Sequence, residues 1–134
     1  MRKQKHHKNG KRKIDYSEIK PISKGTLNNV RRGANAAMRD LSGRIGDIND
    51  EIDLLVYKLK KMSQKAAVGA EAYDEKLARA LDTKKKRLEK TRGSLVSQKR
   101  QAAESIRVAE LGYQKYLDEK RSRQQQNTLH PINV

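Results

Sequence analysis

From Thr26 onward the apolar residues keep a helical beat. Leu27, Val30, Ala34, Met38, Leu41, Ile45, Ile48, Ile52, Leu55, Leu59 and Met62 follow one another at steps of three and four. Such steps gather them on one stripe of an α-helix, with a single stutter near Ala34. Thr26 is a suitable N-cap. Gly69, in an Ala-rich stretch, is the candidate glycine that ends the helix. Gly33, Gly43 and Gly46 each weaken it by roughly 1 kcal/mol relative to Ala, and a kink or break is expected at Gly43 or Gly46 if anywhere.

A second stripe runs from about Glu71 to Arg123. Leu81, Leu88, Leu95, Ala102, Ala109 and Tyr116 recur every seven residues, and Leu77, Ile106 and Tyr113 widen the stripe. Acidic Glu71, Asp74 and Glu75 stand at its start and Lys120, Arg121 and Arg123 at its end, as the helix dipole favours. Gly93-Ser94 is the place where this helix would split into two. The pattern therefore predicts an all-α fold: a long antiparallel helical hairpin or coiled coil over residues 26–123, with three helices if Gly93 breaks the second. An extended basic arm and docking segment, 1–25, precedes it, and a polar tail, 124–134, follows. With the turn centred near residue 68, Asp47, Asp50, Glu51 and Asp53 fall opposite Lys84, Lys85, Lys86 and Arg87, a charge match that would set the register.

Residues 14–25 follow another rule. Ile14, Tyr16, Ile19 and Ile22 are spread through a stretch in which Pro21 biases Lys20 away from helix and Gly25 interrupts the chain again. This reads as an extended connector whose apolar residues need a surface. The surface is either the protein's own helices or a partner that receives the segment as a docking peptide.

Composition sharpens the fold class. Of 134 residues, 32 are Lys or Arg and 16 Asp or Glu, a net charge of +16; there are five Tyr, no Phe and no Trp, and the apolar share is 34%. A sphere with a thick aromatic core is thereby excluded in favour of a rod. The absence of Cys removes disulfides, thiol nucleophiles and thiolate metal sites. The longest apolar runs, Leu54-Leu55-Val56-Tyr57 and Ala66-Ala67-Val68, fall far short of the roughly 18 residues of a membrane span. No apolar segment follows the basic start, unlike a secretory signal. The expected setting is the cytoplasm, or a particle assembled there, with no membrane partner.

The chemistry of catalysis is thin. His6, His7 and His130 all lie outside the two periodic segments, so the helices offer no imidazole for acid–base work or metal ligation. Asp47, Asp50, Glu51 and Asp53 recur at helical spacing and read as a solvated or ion-paired face. Gly43-Arg44-Ile45-Gly46 has the G-x-x-G form with which KH modules clamp a nucleic-acid backbone, but the strands of that module are not predicted. No enzyme activity, cofactor or metal is expected.

The basic segments carry the functional signal. Residues 1–13 hold Arg2, Lys3, Lys5, Lys8, Lys11, Arg12 and Lys13 and no acid; residues 84–100 hold Lys84, Lys85, Lys86, Arg87, Lys90, Arg92, Lys99 and Arg100 against Glu89 alone. Lys58, Lys60, Lys61 and Lys65 add to these. Such density attracts polyanions through counterion release, without reading sequence. No aromatic residue is interleaved in 1–13 or 84–100, which favours backbone contact over stacking on bases. The expectation is a non-enzymatic structural protein that binds DNA or RNA phosphates within a larger assembly. The alternative is a structural or scaffolding subunit held by protein–protein contacts, like components of phage virions or ribosome-associated proteins, with the arm on an acidic protein surface. Two narrow helices bury only a strip, so a homo-oligomer or incorporation into a large complex is expected.

Overall fold

The computed structural model describes residues 14–129. The predicted basic arm of residues 1–13, with its seven cations and two histidines, lies outside them, as does His130. A single 3-10 turn, Tyr16–Glu18, leads into helix α1, Lys24–Ala67, and helix α2, Glu75–Leu129. The two long helices pack as an all-α hairpin, with no strand among the described residues.

The ends of the helices show how local chemistry sets them. Ser23, rather than Thr26, caps α1: its Oγ accepts the Thr26 N–H at 3.2 Å. Thr26 instead sits three residues in, its hydroxyl 3.2 Å from that of Ser23, and Gly25 lies within the first helical turn rather than breaking the chain. Asp74 caps α2, its carboxylate accepting the Leu77 N–H at 3.0 Å. At the far end of α1, Gly69 takes φ 75°. Its N–H donates to the Ala66 carbonyl at 3.1 Å, and the Ala70 N–H donates to the Lys65 carbonyl at 2.9 Å. This pair of bonds is a Schellman ending, and glycine takes the left-handed position without steric cost.

The expected breaks do not occur. Gly43 and Gly46 lie inside α1, and Gly93 and Ser94 inside α2, so the three-helix arrangement does not form. A cost of about 1 kcal/mol per glycine is outweighed by the apolar stripes to either side, which stay helical as single cooperative units. The G-x-x-G sequence is thus plain helix. At its far end α2 runs past Arg123 into the polar tail, because Gln is a good helix former.

The chain divides into two compact units. One is Gly33–Ala103, and the other joins the chain before it to the chain after it. In the first, Leu41, Ile52 and Leu55 of α1 and Ala78 and Leu95 of α2 are buried. Arg92 Nη1 donates to Asn49 Oδ1 across the helices at 2.8 Å. Asn49 therefore faces Arg92, not Arg87, and the predicted register is corrected. The connection of residues 68–74 centres the hairpin later than residue 68, so the acids of 47–53 do not lie across from Lys84, Lys85, Lys86 and Arg87.

In the second unit Ile19, Leu27 and Ala109 are buried. Its distinctive feature is the crossing of the connector over α2 at Gly112. The Ile22 N–H donates to the Gly112 carbonyl at 3.2 Å. A Cβ on Gly112 would stand 2.7 Å from the Lys20 carbonyl and 3.2 Å from the Ile22 side chain. Only glycine lets the two backbones come this close. One turn on, the Lys115 ammonium donates to the carbonyls of Tyr16, Ser17 and Ile19 at 3.3, 3.3 and 3.0 Å.

Candidate nucleic-acid interface

Within the Gly33–Ala103 unit the cations are unevenly placed. Residues 54–90 hold eleven Lys or Arg against five acids, whereas the rest of the unit holds five against five. All of the unit's excess positive charge therefore lies toward the turn. Part of it is engaged locally: Lys86 with Asp82 at 3.3 Å, Lys85 with Glu89 at 3.4 Å, Arg79 with Glu75 at 3.6 Å and Lys65 with Glu71 at 3.9 Å. Surface pairs of this kind are worth roughly 0–1 kcal/mol, so they yield readily to a denser anion.

Lys84, Arg87 and Lys90 are exposed and have no acidic partner among the described residues. Lys86, Arg87 and Lys90 lie on the side of α2 away from buried Ala78 and Leu95, and Lys84 flanks the buried side, so that the four make an exposed band along two turns. Lys85 is half-buried against Glu89. Arg92 is half-buried and joined to Asn49, a strut between the helices rather than part of the band.

The four residues read as partner-docking are also placed. Ile19 is buried and Ile22 half-buried against Gly112 of the protein's own α2. For these two the docking-peptide reading is corrected in favour of intramolecular packing, since the surface they need is already present. Ile14 is half-buried. Tyr16 is 41% exposed, with its hydroxyl donating to Asp118 at 3.2 Å and its ring 5.4 Å from the Lys115 ammonium. Partial loss of water around the phenol, then the Asp118 hydrogen bond and charge, push its pKa up from the usual tyrosine value. Next to it, hydrogen bonds from the Ser17 hydroxyl and backbone N–H hold the Asp15 carboxyl below its usual range.

The lysines of residues 58–65 were named from the sequence, but the groove they share was not. Lys58, Lys61 and Lys65 line a groove of about 320 Å³ together with Tyr57, Met62 and Leu81. The Lys61 ammonium lies 5.6 Å from the centre of the Tyr57 ring. Lysines at steps of three and four beside a tyrosine were the available signal. Among the described residues no group of His, Cys, Asp and Glu is arranged to hold a metal ion. No helix there is long and apolar enough to cross a membrane.

No family model, no curated protein and no solved structure matches the chain. The functional reading rests on the chemistry of the chain itself.

Proposed function

We propose that this is a non-enzymatic structural protein that associates with nucleic acid, in the cytoplasm or in a particle assembled there. Phosphates are held by the cations of residues 1–13 and by the exposed band of Lys84, Lys86, Arg87 and Lys90. The observation that carries the reading is this band: consecutive turns of one helix present Lys84, Arg87 and Lys90, which the fold leaves without acidic partners among the described residues, beside Lys86, held only by an exposed pair with Asp82. Exposed lysines and arginines with no base-reading neighbours contact backbone, so binding is independent of sequence and strongly salt-dependent.

A salt titration of binding to duplex DNA and to single-stranded RNA tests it. Lys84→Gln with Arg87→Gln should weaken binding and flatten the dependence of log K on log salt by roughly 0.9 per lost duplex phosphate contact. Helical circular dichroism should be unchanged. Deleting residues 2–13 should act the same way. If both variants bind with the wild-type affinity and slope, the reading fails.

A second reading is favoured by the exposure of Leu54 and Tyr57, 52% and 56%. An assembly subunit held by protein contacts would keep its partners after nuclease treatment, whereas nucleic-acid association would be lost.

A further inference from the structure

The face of α1 turned away from buried Ile52 and Leu55 carries a seven-residue rhythm of its own. Asp47, Asp50, Leu54, Tyr57, Lys61 and Gln64 follow at steps of three and four, and all are exposed. In a helix this spacing is the seam of a helix–helix contact, yet here it faces solvent.

The charge along this face changes sign at its middle. Residues 45–57 contain Asp47, Asp50, Glu51 and Asp53 and no Lys or Arg; residues 54–70 contain Lys58, Lys60, Lys61 and Lys65 and no acid. None of the four acids has an ion-pair partner among the described residues. Leu54 and Tyr57 lie where the sign changes. A surface that is acidic at one end, apolar at its centre and basic at the other is complementary to itself when turned through 180°.

We propose that the outer face of α1 is the site at which a second copy of this chain docks, antiparallel and about a two-fold axis between Leu55 and Val56. In that arrangement Leu54 of each copy lies on Tyr57 of the other. Asp50 meets Lys61 at the centre, and on the two flanks of the seam Glu51 meets Lys58 and Asp53 meets Lys60. Each contact occurs twice, as an isologous interface requires. A parallel pairing in register would set Asp50 on Asp50 and Lys61 on Lys61 at the centre of the seam, so these charges favour the antiparallel direction. The outer band of α2 offers no such match: its cations repel those of a second copy and stay free for phosphate.

The interface has a small apolar centre flanked by exposed charge, so the dimer should be reversible and should weaken as salt rises. The test uses the nuclease-treated full-length chain and sedimentation equilibrium over a wide concentration range. The wild type should run from the 15.3 kDa monomer toward twice that mass. Asp50→Lys with Asp53→Lys reverses the acidic side of these contacts, and Lys60→Glu with Lys61→Glu reverses the basic side. Each pair of changes alone should raise the dimer Kd at least about tenfold, because four attractions become repulsions.

Mixing the two variants should restore dimers, since every opposed pair is then of opposite sign. All four changes in one chain should restore the homodimer. Circular dichroism checks that each variant keeps its helices, and the four-change chain carries the test if one of the others does not. A wild type that stays monomeric throughout would overturn the proposal. So would two-change variants that dimerise like the wild type, or a mixture that stays monomeric. None of these readouts involves nucleic acid, so this proposal and the phosphate-binding reading fail separately.

Discussion

Gly112→Ala sets two known effects against each other. In an isolated helix the change should help, by about 1 kcal/mol, because Gly is a poor helix former. Here the new Cβ would stand 2.7 Å from the Lys20 carbonyl oxygen, a backbone atom that cannot swing aside, and 3.2 Å from the Ile22 side chain. The connector must lift off α2. Ile19 is only 8% exposed, and full burial of such a side chain is worth about 1.5–3 kcal/mol. The Ile22–Gly112 hydrogen bond at 3.2 Å is lost or stretched as well. Overpacking of this kind costs about 1–3 kcal/mol, so the net expectation lies between no change and destabilisation by roughly 2 kcal/mol, against the gain expected without the clash. The control is Gly93→Ala, also mid-helix, where a Cβ meets nothing within 4 Å. It should stabilise by about 1 kcal/mol. Urea unfolding gives the two changes, and hydrogen exchange at the Ile22 amide reports the connector directly. Gly112→Ala should expose that amide and Gly93→Ala should not. If Gly112→Ala is as stabilising as Gly93→Ala and the amide stays protected, the crossing is not held as described.

Leu95, 3% exposed, should lose about 2–5 kcal/mol on change to Ala; a loss under 1 kcal/mol in urea unfolding would show that the stripe of α2 is not packed. Gly69→Ala forces a side chain onto φ 75° and should destabilise by about 1–2 kcal/mol, whereas Gly43→Ala, which meets nothing within 4 Å, should stabilise by about 1 kcal/mol. The raised pKa of Tyr16 means that its contribution to stability is complete below the usual tyrosine pKa and is lost as pH rises through the folded value. In a chain whose other four tyrosines are Phe, phenolate absorbance should appear at higher pH than in the same chain carrying Asp118→Asn; equal titration would refute the Tyr16–Asp118 contact.

Much of the fold was written in the period of the apolar residues. Ile52, Leu55, Leu95 and Ala109 stood on the two stripes and are buried. Gly69 was readable because a lone glycine after a long helical run has one common use. The register was not readable, since it depends on how many residues the turn consumes, and Ala66, Ala67 and Ala70 are all good helix formers. Ser23 was passed over because both it and Thr26 carry a capping hydroxyl and the first strongly periodic residue is Leu27. The landing place of Ile19 and Ile22 is marked by Gly112, but Gly93 is a mid-helix glycine too, with nothing near it, so the sequence did not single Gly112 out. As for the candidate interface, the α2 cations were evident from sequence. Their freedom from acidic partners was not, because that depends on which way each side chain leaves the helix. Leu54 and Tyr57 were hidden within an apolar run in which Leu55 faces the core.

The ladder of contacts from the turn outward also sets an order in time. Arg92 and Asn49 are separated by 43 residues, Arg31 and Glu110 by 79, and Tyr16 and Asp118 by 102. Closing the widest of these from an unfolded chain costs roughly 0.8 kcal/mol more than closing the narrowest, before any contact rewards it. If pairing starts at Gly69 and proceeds outward, each later rung closes only a short additional loop. The Gly69 turn then belongs to the folding nucleus, and the crossing at Gly112 forms after the barrier. Gly69→Ala should slow folding, whereas Gly112→Ala should leave the folding rate alone and quicken unfolding. The connector is in this sense a late latch, and the part of the chain that tells most about the native state would tell nothing about how fast it is reached.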